Sequence, residues 1–211
     1  MTNKQSFRKP FTILANGPYP SQPAALKKLH TAGTIICTDG SSNKLIENGL
    51  TPNVIIGDMD SVTIDRDSFT GKFIEIANQN NSDLEKSFDW CKANNLSPLT
   101  VLGASQGRED HMLGNLALLV NYSDMLDLTF FTDYFIITCH QGERSFSSFE
   151  QQLVSILPAE QIHSIKTDGL EFPLNNEPLQ FSTRGLSNRA TGSQFTISSS
   201  EKILVFRSHS D

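Results

Sequence analysis

Val54-Ile55-Ile56-Gly57-Asp58-Met59-Asp60-Ser61 joins an apolar, β-branched run to two carboxylates separated by a single residue. A continuous apolar run of this kind predicts a strand covered on both faces, as in a parallel sheet. Such a strand delivers whatever follows it to the sheet's carboxyl edge. Open α/β sheets bind their ligands along that edge. Asp58 and Asp60 repel each other there at neutral pH unless a cation sits with them, and a hard, oxygen-liganded ion such as Mg²⁺ suits two carboxylates. A plain acidic turn, with Asp58 capping a helix, is the structural alternative.

Working outward, short apolar runs alternate with helical spacing on both sides of this stretch. Phe11–Ala15 reads as a strand closed by Asn16-Gly17-Pro18, Ala24–His30 as a helix, Thr34–Thr38 as a strand, and Lys44–Asn48 as a short helix ended by Gly49. Phe73–Ala77 is strand-like; Asp83–Ala93 carries Leu84, Phe88 and Cys91 at helical spacing, with Ser82 as its N-cap. Leu99–Leu102 is a strand, His111–Val120 an apolar helix, and Leu128–Thr132 and Tyr134–Cys139 are strands. This alternation predicts an α/β N-terminal domain, a mostly parallel sheet flanked by helices.

Beyond about Gly142 the helical signal fades. Leu153–Leu157, Gln161–Lys166, Leu179–Ser182, Gln194–Ser198 and Ile203–Arg207 are short strand candidates separated by Gly, Pro, Asn and Ser. They predict an all-β C-terminal sandwich. The boundary is expected within Gln141–Ser148, giving domains over 1–142 and 143–211. There is no internal repeat and no low-complexity tract.

Charge and cysteine usage narrow the function class. Seventeen Lys and Arg against 23 Asp and Glu leave a net charge of −6, so a phosphate-bearing ligand needs metal and a few placed basic residues to neutralise it. No basic stripe interleaved with aromatics suggests nucleic-acid binding. Cys37, Cys91 and Cys139 are scattered and odd in number, which matches no zinc or disulfide framework and fits a reducing cytoplasm. The opening Met1-Thr2-Asn3-Lys4 leads into no signal-like apolar stretch, and no window approaches membrane-span length. A soluble cytoplasmic protein without membrane partners is expected.

Four further polar clusters fall where the predicted strands of the first half end. Thr38-Asp39-Gly40-Ser41-Ser42-Asn43 closes the second strand, and Gly40 permits the close backbone approach that a phosphate or ribose needs. Ser82-Asp83-Leu84-Glu85-Lys86 opens a helix with Asp83 and Lys86 on one face. Gly103-Ala104-Ser105-Gln106-Gly107-Arg108-Glu109-Asp110-His111 links strand to helix and supplies an Arg able to fork onto phosphate oxygens. Asn16-Gly17 closes the first strand. Each loop is weak alone; five converging on one sheet edge are hard to attribute to ordinary loop polarity.

Together these motifs resemble the thiamin pyrophosphokinase family. The resemblance runs from Asn16 through Asp39-Gly40, Gly57-Asp58-Met59-Asp60-Ser61, Ser82–Lys86 and Gly107–His111 to Lys166-Thr167-Asp168-Gly169-Leu170 and Gly185-Leu186-Ser187-Asn188. It implies transfer of pyrophosphate from ATP to thiamin with release of AMP, and a homodimer with its sites at the subunit interface. It further implies Asp58, Asp60 and Asp83 as Mg²⁺ ligands, with Asp39 and Asp110 as additional ones. Asp60 lies near the attacking hydroxyl on this reading, Lys86 and Arg108 hold phosphates, and Asn16, Gly40, Gln79, Gly107 and His111 complete the nucleotide site. Ser187 and Asn188 would bind thiamin. His111 and Asp110 also fit simple helix-start roles, Lys86 a solvated helix charge, and Ser187-Asn188 an ordinary turn.

The chain departs from the family pattern at Ser41 and Gln106, where glycines are usual, and at Asn78, Asn80 and Asn81, where an acidic residue usually stands upstream of Asp83. Trp90 reads as a helix core residue. Phe181 and Phe195 fit sandwich core as well as ring stacking on thiamin. Asp-x-Asp after an apolar strand also matches nucleotide-sugar glycosyltransferases, but that pattern leaves Gly107–His111 and the β-rich second half unexplained.

Overall fold

The computed structural model describes residues 6–209, so Met1–Lys4 lie outside the described residues. The chain divides into two compact units. The first ends at Leu118 and also takes in Asp124–Asp133; the second comprises Leu119–Ser123 and continues from Tyr134.

The first unit is built on six parallel strands: β1 (Phe11–Leu14), β2 (Thr34–Thr38), β3 (Val54–Gly57), β4 (Lys72–Glu75), β5 (Leu99–Leu102) and β6 (Leu128–Phe131). They lie in the order β6-β5-β1-β2-β3-β4, every neighbouring pair parallel. Every residue of β1, β2 and β3 is buried, as unbroken apolar runs require, whereas the terminal strand β4 is exposed or half-exposed throughout. Because the strands run the same way, the loops leaving their C-terminal ends share one edge. The chain order reverses at β1, which lies between β5 and β2, and this switch point is where such sheets form a crevice.

Four helices, α1 (Pro23–His30), α2 (Ser41–Glu47), α3 (Asp83–Ala93) and α4 (Glu109–Tyr122), connect the strands. α1 packs on β5, α2 on β2, and α3 on β2 and β3. α3 begins as its sequence predicts, the Ser82 hydroxyl accepting from the Glu85 N–H at 3.3 Å. It buries Leu84, Phe88 and Cys91 along one face; Phe88 alone contributes roughly 1.5–3 kcal/mol by leaving water. Trp90, read from sequence as core, is only half-buried and meets the edge of Phe7 at 5.5 Å. α4 is apolar as expected but buries only Leu119 and Tyr122, while Leu113 is 58% exposed.

The second unit is antiparallel. β12 (Gln194–Ser208) pairs with β7 (Phe135–Ser147) over almost its whole length; its first half pairs on the other side with β9 (Ile162–Asp168) and its second half with β8 (Leu153–Pro158). β10 (Asn175–Leu179) adds to β9 and β11 (Asn188–Arg189) to β8. Phe146, Val154, Ile156, Ile165, Phe195, Ile197 and Val205 belong to its core.

Four features differ from the sequence expectation. Gln194–Ser198 and Ile203–Arg207 form one strand, because the polar Ser199–Lys202 segment contains neither Gly nor Pro and is carried as a register shift against β7. The stretch expected to hold the boundary, Gln141–Ser148, is largely occupied by β7, which passes through Gly142 in a left-handed conformation (φ 82°) without breaking. The strand expected at Leu179–Ser182 lies upstream, as β10. Phe195 is core, stacked on Phe146 at 5.1 Å, but Phe181 is 70% exposed.

Candidate active site

Five loops leave the C-terminal ends of β1 to β5 and line one cavity of about 780 Å³. Asn16, Gly17 and Pro18 come from the loop after β1, Asp39 and Lys44 from the β2 loop and α2, and Asp58, Asp60 and Ser61 from the β3 loop. Gln79–Lys86 bring the segment between β4 and α3, with Asp83 and Lys86 among the lining; Gly103, Gln106, Gly107, Arg108, His111 and Asn115 arrive after β5. Every lining residue lies in the first unit.

Glycine lets these loops approach. A Cβ on Gly17 would stand 2.2 Å from the Gly103 carbonyl oxygen, the acceptor of the Gly17 N–H at 3.0 Å. One on Gly40 would meet the Asn16 amide at 2.8 Å, and one on Gly57 would meet Asp39 Cβ at 2.8 Å and Asp83 Cγ at 3.2 Å. Gly57 thus reserves the space in which two of the carboxylates sit. Gly57→Ala is expected to displace both and cut turnover roughly tenfold or more, about 1.4 kcal/mol, in a protein that still unfolds cooperatively; steady-state kinetics beside a thermal melt reads both.

Asp39, Asp58 and Asp60 each present a carboxylate oxygen, and the three oxygens lie within 4.8 Å of one another. At an effective dielectric near 20, two full charges at that distance repel by about 3.5 kcal/mol. Asp39 is buried, and its Oδ1 has no hydrogen-bond partner. Burial first, and then Asp60, Asp58 and Asp83, raise its pKa to about 7. Asp58 is held below the ordinary carboxylate range, chiefly by the Gln79 amide donating to its Oδ2 at 2.6 Å and then by the Asp60 N–H. Ser61 fastens the loop, its hydroxyl donating to Asp60 Oδ1 at 2.8 Å and its N–H to Asp39 Oδ2 at 3.4 Å. An orphaned buried carboxylate oxygen beside two more carboxylates is a donor set that suits a hard divalent cation.

The remaining expected residues divide. Asp83 lines the cavity as a fourth carboxylate and accepts from Lys86 Nζ at 2.9 Å. Lys86 is only 4% exposed, which rules out a solvated helix charge. Arg108 and Asp110 form a two-pronged pair on the surface, Nε to Oδ1 at 3.1 Å and Nη2 to Oδ2 at 2.7 Å. That pairing lowers the Asp110 pKa to about 2, and Asp110 does not line the cavity although Arg108 and His111 do. Nη1 of Arg108 is left outside the pair. Asp110 Oδ1 also accepts the His111 N–H at 2.9 Å, the helix-start role.

Ser187 and Asn188 lie in the second unit. Asn188 is buried and its amide is engaged: Oδ1 accepts from the Phe172 and Arg189 N–H groups at 3.0 and 2.8 Å, and Nδ2 donates to the Phe172 carbonyl at 2.7 Å. Ser187 is exposed in a left-handed conformation (φ 60°), its N–H donating to Ser155 Oγ at 3.0 Å. Phe172, pinned by Asn188, presents an exposed ring. Sequence reasoning passed over Phe172, Lys44 and Asn115. Nothing in a local pattern distinguishes Lys44 from a surface helix charge, or Asn115 from a polar helix residue, until Asn115 is seen donating to the Ala104 carbonyl at 2.8 Å.

Comparison with known proteins bears on the whole chain. Residues 26–130 match the family model described as thiamin pyrophosphokinase, catalytic domain, and residues 136–204 that of the thiamin pyrophosphokinase vitamin B1 binding domain. The sequence is similar to thiamine pyrophosphokinase of Bacillus subtilis (strain 168), 27% identical over 208 residues, covering 93% of this chain and 97% of that one. It is 25% identical over 185 residues to thiamin pyrophosphokinase 1 of Caenorhabditis elegans, covering 80% and 76%. The crystal structure of the Bacillus subtilis thiamine pyrophosphokinase superposes with a TM-score of 0.80 at 25% identity, over 95% of this chain and 99% of that one. Thiamin pyrophosphokinase from Candida albicans, at 19% identity, shares the fold with a TM-score of 0.81, over 95% and 89%.

Proposed function

Since the chain belongs to the thiamin pyrophosphokinase family, we propose a division of labour among its residues for that family's reaction. The protein is an enzyme that transfers pyrophosphate from ATP to the hydroxyl of thiamin, giving thiamin diphosphate and AMP. The thiamin oxygen bonds to the β-phosphorus, the bond from that phosphorus to the oxygen bridging it to the α-phosphate breaks, and the hydroxyl proton is released.

The α/β unit that closes at Asp133 would be the catalytic domain on this reading, and the antiparallel unit that continues from Tyr134, rather than from residue 143, a β-sandwich that binds thiamin and mediates dimerisation. Asp39, Asp58 and Asp60 would hold Mg²⁺, with Asp83 beside them; the observation that carries this is the unpartnered, buried Asp39 Oδ1 in a three-carboxylate cluster. Bound there, the ion would neutralise charge on the phosphate chain and hold the reacting groups in line. Asp110, committed to Arg108, serves by orienting that guanidinium. Lys86, bonded to Asp83, and Arg108, bonded to Asp110 at the start of α4, would hold the phosphates through the N–H donors that these carboxylates leave free. Asn16, Gln79, Gly107 and His111 would shape the nucleotide site, Gln79 by fixing Asp58, while Gly40, outside the cavity lining, leaves room for the Asn16 amide. On this reading Asp60, beside its share of the ion, would also take the proton of the attacking hydroxyl.

Ser187 is the thiamin-binding residue of the turn, offered by Asn188, whose amide is spent on holding that turn and Phe172. A homodimer, with Ser187 of one subunit serving the cavity of the other, is the arrangement that the family resemblance implies, and Leu113, 58% exposed on the apolar helix α4, is an apolar contact such a dimer could cover. No helix among the described residues is long and apolar enough to cross a membrane, and a cytoplasmic location is the reading that the odd, scattered cysteines favour.

Incubation with ATP, Mg²⁺ and thiamin, followed by chromatographic separation, tests the function. AMP and thiamin diphosphate in equal amounts are expected; AMP without the thiamin product, or no turnover, would refute it. Ser187→Ala is expected to raise the KM for thiamin roughly tenfold, the worth of one buried hydrogen bond, with the KM for ATP unchanged. An unaltered thiamin KM would remove Ser187 from the site.

A further inference from the structure

Lys44 has no part in the assignments above, yet it lines the cavity. Its ammonium donates to two main-chain carbonyls of the loop after β1, Asn16 O at 3.0 Å and Gly17 O at 2.8 Å. An ammonium has three N–H donors, so one remains. Among the described residues no carboxylate is bonded to it, Glu47 one turn along the helix acting on it only through space, in contrast to the other lysine of the cavity, Lys86, which is bonded to Asp83 at 2.9 Å. Neutral carbonyls position a charge without cancelling it. Lys44 is therefore a half-buried cation, fixed in place, with spare donor capacity at the wall of a cavity otherwise rich in carboxylates.

Its neighbour on α2 is tied elsewhere. Asn43 Nδ2 donates to the Ser61 carbonyl at 2.7 Å, and its Oδ1 accepts from the N–H and hydroxyl of Thr63 at 3.0 and 2.9 Å. Ser61 in turn bonds Asp60 and Asp39. One turn of helix thus anchors the acidic loop through Asn43 and the Asn16–Gly17 loop through Lys44. The Asn16–Gly17 loop is itself bonded to the β5 loop, where Gly17 N–H meets Gly103 O at 3.0 Å.

We propose that Lys44 is a substrate-binding residue for the nucleotide, its third N–H donated to a non-bridging phosphate oxygen while the two carbonyls hold it in place. The proposal rests on the reading of this cavity as the ATP site. A rigid ammonium with no carboxylate bonded to it contributes selectively to an anionic ligand, because its desolvation and ordering are met before the ligand arrives. Thiamin, a cation, gains nothing from it.

The test compares Lys44→Met, Lys44→Arg and Asn43→Ala with wild type, each checked for a cooperative melt. Lys44→Met is expected to raise the KM for ATP at least roughly tenfold and to shrink the ATP-induced rise in melting temperature, with the KM for thiamin within about twofold; Lys44→Arg restores most of the ATP affinity. Asn43→Ala is the contrast: it raises the Mg²⁺ concentration needed for half-maximal rate and leaves the KM for ATP nearly unchanged. Lys44→Met with an ATP KM within about twofold of wild type overturns the proposal. So does an equal loss for ATP and thiamin together with a lowered melting temperature, which marks a purely structural clasp on Asn16 and Gly17. A wild-type protein that shows no ATP-induced stabilisation and forms no thiamin diphosphate overturns the ATP-site reading itself, a result visible before any variant is made.

Discussion

Asp60→Asn is expected to lower the rate of thiamin diphosphate formation by roughly a thousandfold, about 4 kcal/mol of transition-state stabilisation, while the melting temperature stays within a few degrees of wild type. The exchange keeps the size and shape of the side chain and removes its charge. Asp60 is exposed, and apart from its contacts with Ser61 and the acidic cluster nothing in the core leans on it, so the fold has little to lose. The reaction has much to lose, because the proposed assignment gives Asp60 both a share of the cation and the proton of the attacking hydroxyl. Turnover at saturating Mg²⁺ decides the matter: a variant as fast as wild type would remove Asp60 from both roles.

Asp39→Asn is expected to separate activity from stability. In the metal-free protein the Asp39 pKa is raised to about 7, first by burial and then by its carboxylate neighbours, against about 3.9 in an unfolded chain. A raised carboxyl pKa means that the folded state keeps a proton the unfolded state gives up as pH climbs. Stability from this group is therefore full below about pH 4 and falls as pH rises to about 7, where the folded carboxyl also ionises. A shift of that size corresponds to at most about 4 kcal/mol. An asparagine, which does not ionise, is expected to flatten the pH dependence between about 4 and 7 and to raise metal-free stability at pH 8 by ~2 kcal/mol. Activity is expected to drop at least roughly a hundredfold, about 2.7 kcal/mol. Urea unfolding at pH 4 and pH 8 without Mg²⁺, set beside turnover with it, reads both halves. A variant less stable than wild type at pH 8 would show that Asp39 is structural and that its burial is not held in reserve for a cation.

The parallel half of the fold was legible because its strands are buried on both faces and announce themselves as continuous apolar runs. Thr34–Thr38 and Leu99–Leu102 coincide with β2 and β5, and Asp83–Ala93 with α3, where Ser82 provides a local stop signal. The antiparallel half was less so. β10 contains Asn175, Asn176 and Pro178, with little strand propensity of its own, and exists because β9 offers an edge to pair with. β12 was divided in two because the four polar residues Ser199–Lys202 interrupt its apolar pattern, although β7 pairs with the strand on both sides of that interruption.

At the candidate site, acidic loops were visible because two or three unusual residues stand together in sequence. Side chains that enter from the middle of a helix were not. Lys44 and Asn115 gain their meaning only when parallel pairing brings the loops of β1 and β5 beside them. Lys86 illustrates the converse: its place on one face with Asp83 made it a candidate for holding phosphate, with a solvated helix charge as the alternative, and burial to 4% exposure removes that alternative.

The central claim is that Asp39, Asp58 and Asp60 gather at the sheet edge to hold a divalent cation for pyrophosphate transfer. Crystals of the protein grown with Mn²⁺ in place of Mg²⁺ and with a non-hydrolysable ATP analogue, measured at the manganese absorption edge, locate the metal by its anomalous scattering. The account predicts a manganese peak within coordination distance of oxygens of at least two of these three carboxylates and of the analogue's phosphates. A fully occupied analogue with manganese bound to its phosphates alone, or with metal coordinated elsewhere in the chain, would contradict it.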